Sequence, residues 1–283
     1  MLHCGGVPRP GLVFPSEAVG MAGLEVDLCR SIAATVFGKE ARIEFHPYAV
    51  GQDFERLRRG DDAVAFLTGS ELSANGLLDA VMPGPAVFHQ TNGVMVPADH
   101  PAQHLSELAG TMVCAEPGTG PERTLLAYFR SRNATIRYSG WQEEEEMLDA
   151  FDVGRCPAVA LEMTDLAGRR ADAEARGRSV RILPEPLSAT PVLAVTGLDD
   201  ARWAAIIGWS IGTVMQPNGS AEALPVRGAG LGLAPGWQAA ARSGGAYDTM
   251  VARNLGASSA LRLPPALDAS WRDGGANCPP GIE

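Results

Sequence analysis

The residues best suited to metal or redox chemistry are five cysteines and five histidines: Cys4, Cys29, Cys114, Cys156 and Cys278, with His3, His46, His89, His100 and His104. No Cys-x-x-Cys occurs and the histidines are scattered, so the spacing predicts no zinc centre. Two disulfides and a free thiol drawn from five cysteines can be arranged in fifteen ways, and five buried thiols are an equally open reading. Serine, histidine and aspartate are all present, but no G-x-S-x-G nucleophile elbow precedes a helix, so a hydrolase triad has no support. The acidic run Glu143-Glu144-Glu145-Glu146 is best read as a solvated first helical turn, stabilised by the helix dipole.

The elements that must position such groups alternate along the chain. Leu24, Leu28, Ile32, Val36 and Phe37 predict a helix over 24–37, with Asp27 near its start. Residues 41–47 alternate as a strand and stop at Pro47; 51–59 read as a short helix and 62–67 as a buried strand. With the short apolar run at 2–7, this βαβαβ opening favours a mostly parallel sheet with helical crossovers. The pattern then restarts. Strands are expected at 94–96, 111–115, 134–138, 159–161 and 179–183, and helices at 121–131, 142–152 and 163–177. The turn Glu116-Pro117-Gly118-Thr119-Gly120-Pro121 opens the first of these helices. A third segment has a strand at 191–195 and an amphipathic helix at 199–216, capped by Asp199 or Asp200. Its Gly- and Pro-rich remainder, 217–283, holds short helices near 236–242 and 247–254.

Composition bounds the function. The chain has 283 residues, 46% hydrophobic and 20% charged, enough for one large core or two ordinary ones and too apolar for disorder. A net charge of -10 offers no basic field for nucleic acid. Lys39 is the only lysine among 23 basic residues, which we read as the coding bias of a GC-rich genome. No apolar run approaches the about 18 residues of a membrane span. Met1-Leu2-His3-Cys4 carries neither a basic nor an apolar leader region, as in a cytoplasmic protein or an exported one without its signal.

Five pieces fall in an order that resembles one family. They are GLEVDLCRSIAATVFG (23–38), GVMVP (93–97), LAGTMVCAEPGTGPE (108–122), FDVGRCPAVALE (151–162) and LDASWRDGGANCPPGIE (267–283). The chain is similar along nearly its whole length to the periplasmic solute-binding proteins of polar amino-acid ABC importers, in particular the general L-amino-acid-binding branch. The resemblance implies an α/β, type II periplasmic-binding-protein fold. Two lobes, residues 1–95 plus 192–283 and residues 96–191, would be joined by hinge strands near 93–97 and 190–194 and would clamp the ligand between them. It also implies export to the periplasm, so the leader would be missing only because of where the sequence was cut. In that oxidising compartment, pairing within lobes makes Cys4–Cys29 and Cys114–Cys156 the natural bridges and leaves Cys278 over.

Members of the family hold an amino acid with an Arg on its carboxylate, donors at a helix N-terminus, and a carboxylate on its ammonium. This chain departs from that pattern. Ala74 stands where the Arg is expected, and no Arg occurs between Gly60 and Pro121. The second lobe's threonine-rich loop reads Gly118-Thr119-Gly120-Pro121-Glu122, where Pro121 offers neither N–H nor hydroxyl. The acceptor position keeps an acid, Glu162. By analogy the ligand-facing set is Phe14, Thr68, Gly69, Ser70, Glu71, Thr119, Trp141 and Glu162. Each has a plain alternative: Glu71 as an exposed loop acid, Glu162 as a helix N-terminal acid, Phe14 and Trp141 as packing residues. Phe88, His89, Trp203 and Trp209 are read as packing residues.

The resemblance therefore implies a non-enzymatic binding protein that delivers a small solute to an inner-membrane ABC permease, as a monomer, with no cofactor and no span of its own. The missing Arg points away from standard α-amino acids and toward an amine- or cation-bearing solute, and Arg9 is a substitute to watch. The same fold also serves sensory or accessory modules, and periplasmic dehydratases.

Overall fold

The helix expected over 24–37 forms over those residues. The computed structural model describes residues 1–49, 54–216 and 228–264. The chain opens with β1 (Leu2–Gly6), the ribbon β2 (Phe14–Ser16) and β3 (Gly20–Ala22), and α1 (Leu24–Phe37). β4 (Ile43–Pro47), α2 (Glu55–Arg58), β5 (Val64–Thr68), α3 (Gly69–Ala74) and β6 (Val81–Gln90) follow. Next come β7 (Asn92–Pro97), β8 (Met112–Ala115), α4 (Gly120–Arg130), β9 (Arg137–Gly140) and α5 (Glu144–Asp152). β10 (Val159–Glu162), α6 (Met163–Ala175) and β11 (Val180–Ile182) complete that stretch. The chain returns through β12 (Thr190–Gly197), α7 (Ala201–Met215), α8 (Trp237–Ala241) and α9 (Tyr247–Asn254).

These elements fall into two units. The first holds Met1–His89 and the described residues from Pro191 onward; the second is Gln90–Thr190. In the first, the sheet order is β4-β1-β5-β12-β6. β1 runs parallel to β4 and β5, and the returning β12 lies antiparallel to β5. Gly23 makes the close approach that starts α1. Its φ is 126°, and a Cβ there would sit 2.1 Å from the Leu12 carbonyl oxygen. Asp27 on α1 then receives Arg253 (2.9 Å) and Asn254 (2.6 Å), fastening α9 to the first helix. Asp200 caps α7 by accepting from the Trp203 N–H at 2.8 Å. Trp203 and Trp209 pack against Ile206, Leu233 and Trp237, as their sequence spacing suggested.

In the second unit the order is β11-β7-β10-β8-β9, with β8 parallel to β9 and β10, and β7 antiparallel to β10 and β11. One core cluster packs Leu105, Leu125 and Phe129 on Val113 and Ala160; another packs Met147 and Phe151 on Val159 and the Cys114–Cys156 pair.

Both expected disulfides are present, Cys4–Cys29 and Cys114–Cys156, with Cα separations of 6.3 and 6.1 Å. Each lies within one unit. Cys4 is on β1 and Cys29 on α1; Cys114 is on β8 and Cys156 in the turn after α5. Cys278 and the closing motif fall outside the described residues.

Other differences have local causes. The strand expected at 134–138 begins at Arg137, because the turn leaving α4 passes through Asn133 in the left-handed region, φ 52°. β6 and α3 had no counterpart in the sequence reading. β6 contains Pro83 and Pro85, which argue against a central strand; it lies at the sheet edge, where missing N–H groups are tolerated. Gly208-Trp209-Ser210-Ile211-Gly212 does match G-x-S-x-G, but it lies inside α7. Ser210 there is buried and donates to the Ile206 carbonyl at 2.6 Å, so it is no nucleophile elbow.

Candidate functional site

In the first unit the candidate residues gather at the carboxyl ends of β1 and β5. Thr68 ends β5 and caps α3. Its hydroxyl accepts from the Glu71 N–H at 3.2 Å, and Glu71 Oε2 accepts from the Thr68 N–H (2.7 Å) and hydroxyl (2.9 Å). This capping box explains why Thr68, Gly69, Ser70 and Glu71 form a helix start instead of an open loop. Glu71 Oε1 meets Arg9 Nη2 at 2.6 Å, with side-chain exposures of only 17% and 8%. Glu71 is therefore not an exposed loop acid. Ala74 closes the short helix, and the cation nearest to the expected anchor's role, Arg9, already carries a carboxylate.

Beneath this pair lies Glu25, fully buried, with neither carboxyl oxygen hydrogen-bonded. Burial holds its carboxyl well above the ordinary range; Arg9 pulls it down and Glu71 pushes it up. Gly6 makes room for it, since a Cβ there would lie 2.3 Å from Glu25 Oε2. The sequence reading missed Glu25. Its one signal was a carboxylate in the first turn of a helix whose residues are apolar on nearly every side. Phe14 lies on β2, half-buried, opposite Ala22 on β3.

In the second unit the candidates lie at the carboxyl ends of β8, β9 and β10. Thr119 caps α4: its hydroxyl donates to the Glu116 carbonyl (2.6 Å) and accepts from the Glu122 N–H (3.5 Å). Trp141 follows β9 and packs partly on the core beside Met147, with its indole N–H buried and unbonded. Glu162 ends β10 and is the N-cap residue of α6, yet its side chain makes no capping bond. Its Oε2 instead accepts from Gln90 Nε2 at 2.7 Å, and the same nitrogen donates to Thr164 at 2.7 Å. Gln90, 72 positions upstream, was not legible as a partner. Acids surround this end of the sheet. Burial, followed by repulsion from Glu144 and Glu143, raises the Glu116 carboxyl. Tyr138 is pushed up to about 12 by burial and by its hydrogen bond to Glu122.

No protein-family model matches the chain. Curated relatives do. The general L-amino-acid-binding periplasmic protein AapJ of Rhizobium johnstonii is 25% identical, over 96% of this chain and 86% of the relative. The glutamate/glutamine/aspartate/asparagine-binding protein BztA of Rhodobacter capsulatus is 25% identical, over 97% and 88%. The chain is a relative of the amino-acid-binding periplasmic proteins of ABC transporters. Among solved structures, an ABC-transporter periplasmic binding protein from Brucella ovis with glutathione bound aligns over 98% of this chain and 95% of its own. That match has a TM-score of 0.77 at 25% identity. The fold is thus the α/β, type II periplasmic-binding-protein fold expected from the sequence. Among the described residues no helix is long and apolar enough to cross a membrane.

Proposed function

We propose that the protein is the periplasmic solute-binding component of an ABC importer and that its solute presents an amine, amidine or similar donor group to Glu162. The observation that carries this reading is that Arg9, the cation nearest to a carboxylate anchor, already holds Glu71, which Thr68 also binds. An acid, Glu162, stands at the carboxyl end of β10, where the Gln90 amide donates to it. An α-carboxylate entering beside Arg9 would have to displace Glu71, so a standard α-amino acid lacks its usual anchor. Thr119, spent on its own helix cap, offers little in exchange. Phe14 and Trp141 supply aromatic faces suited to a cation. Thr68, Gly69 and Ser70 are proposed as first-unit contacts, and delivery to an inner-membrane permease is the proposed outcome. The amino-acid relatives and the glutathione-bound relative fit this class of solute, since each of those ligands carries an ammonium group.

The test is a thermal-shift screen of the twenty amino acids, glutathione, short peptides, polyamines and amidines, followed by calorimetry on hits. No proteinogenic amino acid is expected to bind tighter than about 10 µM. Glu162→Gln is expected to weaken the best hit by about 1–3 kcal/mol, roughly 5- to 150-fold. A sub-micromolar α-amino acid, or an anionic ligand indifferent to Glu162→Gln, overturns the reading.

A further inference from the structure

We propose a divalent transition-metal site on the first unit, on one face of the paired strands β1 and β4, with His3, Glu44 and His46 as ligands and Asp62 as the group that orients His46. The two histidines lie 43 positions apart in the sequence, which made them look scattered. Parallel pairing of β1 with β4 removes that separation. His3 stands in register with Glu44, and His46, two residues on, shares Glu44's face of the sheet. The imidazoles stack with centroids 5.6 Å apart and planes 13° apart.

The donor atoms converge. Glu44 Oε2 is 3.5 Å from His3 Nδ1, and Glu44 Oε1 is 3.3 Å from His46 Nε2. Tetrahedral coordination with bonds of about 2.0–2.1 Å places neighbouring donors about 3.3–3.4 Å apart. Each imidazole lies near that distance from a different Glu44 oxygen, so a bound metal would take the carboxylate through both oxygens or draw one of them inward. The His3 contact is no hydrogen bond, and its Nδ1 is buried without one. One ligand atom each from His3, His46 and Asp62 lies within 4.8 Å of the others.

Asp62 has the properties of the outer partner. Its side chain is fully buried, and Oδ1 meets His46 Nδ1 at 2.7 Å. That contact places the imidazole proton on Nδ1 and leaves the Nε2 lone pair directed at Glu44. Asp62 is itself held by Tyr48 Oη (2.8 Å) and by Arg56 Nε and Nη2 (each 3.2 Å). Arg56 satisfies the Asp62 charge, which suits Asp62 to orienting His46 and not to ligation. Two imidazoles and a carboxylate, with solvent reaching half-exposed Glu44, match zinc or cobalt(II) better than a hard, oxygen-seeking cation.

The experiment titrates the tag-free full-length chain with Zn2+ and Co2+. One saturable site below about 10 µM is expected. His3→Gln and His46→Gln are each expected to weaken it at least about tenfold, and Asp62→Asn about 10- to 100-fold, while His104→Gln, on the other unit, leaves it unchanged. Because the Asp62 variant risks unfolding, imidazole nitrogen shifts of the unsubstituted protein are followed in parallel. Zn2+-dependent shifts confined to His3 and His46 support the site. Absence of saturation, retention in both histidine variants, or shifts centred on other histidines overturns it.

Discussion

Replacing Glu71 by Gln tests the most consequential contact in the first unit. The side chain keeps its length, and its carbonyl can still accept from the Thr68 N–H, so the capping box is weakened but not abolished. What disappears is the charge facing Arg9 across 2.6 Å, between side chains that are both less than one-fifth exposed. Removing one partner of a buried pair costs about 3–5 kcal/mol, because the remaining charge is left without its counter-ion. Glu25 offsets part of that loss. Glu71 is one of the two influences holding its proton, and without it Arg9 draws Glu25 toward ionisation. The expected net cost is about 2–3 kcal/mol, or a fall in Tm of about 4–12 °C for a unit of this size. Chemical denaturation of Glu71→Gln, Arg9→Met and the double variant measures the coupling directly. The double variant should recover part of the loss, since it removes both members of the pair together. A single-variant cost below about 1 kcal/mol, or strictly additive losses, would refute the claim that Arg9 is already committed to Glu71.

Three further outcomes follow from the same geometry. Since its folded carboxyl is raised, Glu25 favours the folded state fully below the ordinary carboxylate range, and that contribution is lost as pH rises toward the raised value; Glu25→Gln should flatten this slope in denaturation series from pH 4 upward. Breaking Cys4–Cys29 or Cys114–Cys156, which span 25 and 42 positions, should cost about 3.5 and about 4 kcal/mol on a chain-entropy basis. Non-reducing peptide maps should return only those two bridges among the four cysteines. Asp27→Asn should loosen α9 from α1 by about 1–3 kcal/mol, seen as faster amide exchange over 247–254.

Local patterns carried far in this sequence. The apolar spacing of α1 marked both of its ends, and the strand–turn–helix rhythm revealed two α/β stretches and a return segment. The bridges followed from the family resemblance, since the cysteine spacing alone left fifteen arrangements. Interactions between distant segments were hidden. Arg9 reaches Glu71 across 62 positions, and Gln90 reaches Glu162 across 72; no periodicity connects such residues. The same holds for His3 and His46, which only strand register brings together. β6 escaped for a different reason: its two prolines lower strand propensity in any window, and only an edge position accommodates them.

That edge position bears on how the chain survives at high concentration. β6 is the longest strand described, ten residues, and an outermost strand of that length is a template onto which another chain can dock and extend the sheet. Pro83 and Pro85 occupy alternate positions, so the donors they lack fall on one side of the strand. Prolines interrupt the regular ladder that an outermost strand would otherwise offer. The prolines thus guard against runaway sheet growth, and replacing Pro83 and Pro85 with valine would leave an unbroken ten-residue edge strand of high β-propensity, a nucleus for aggregation.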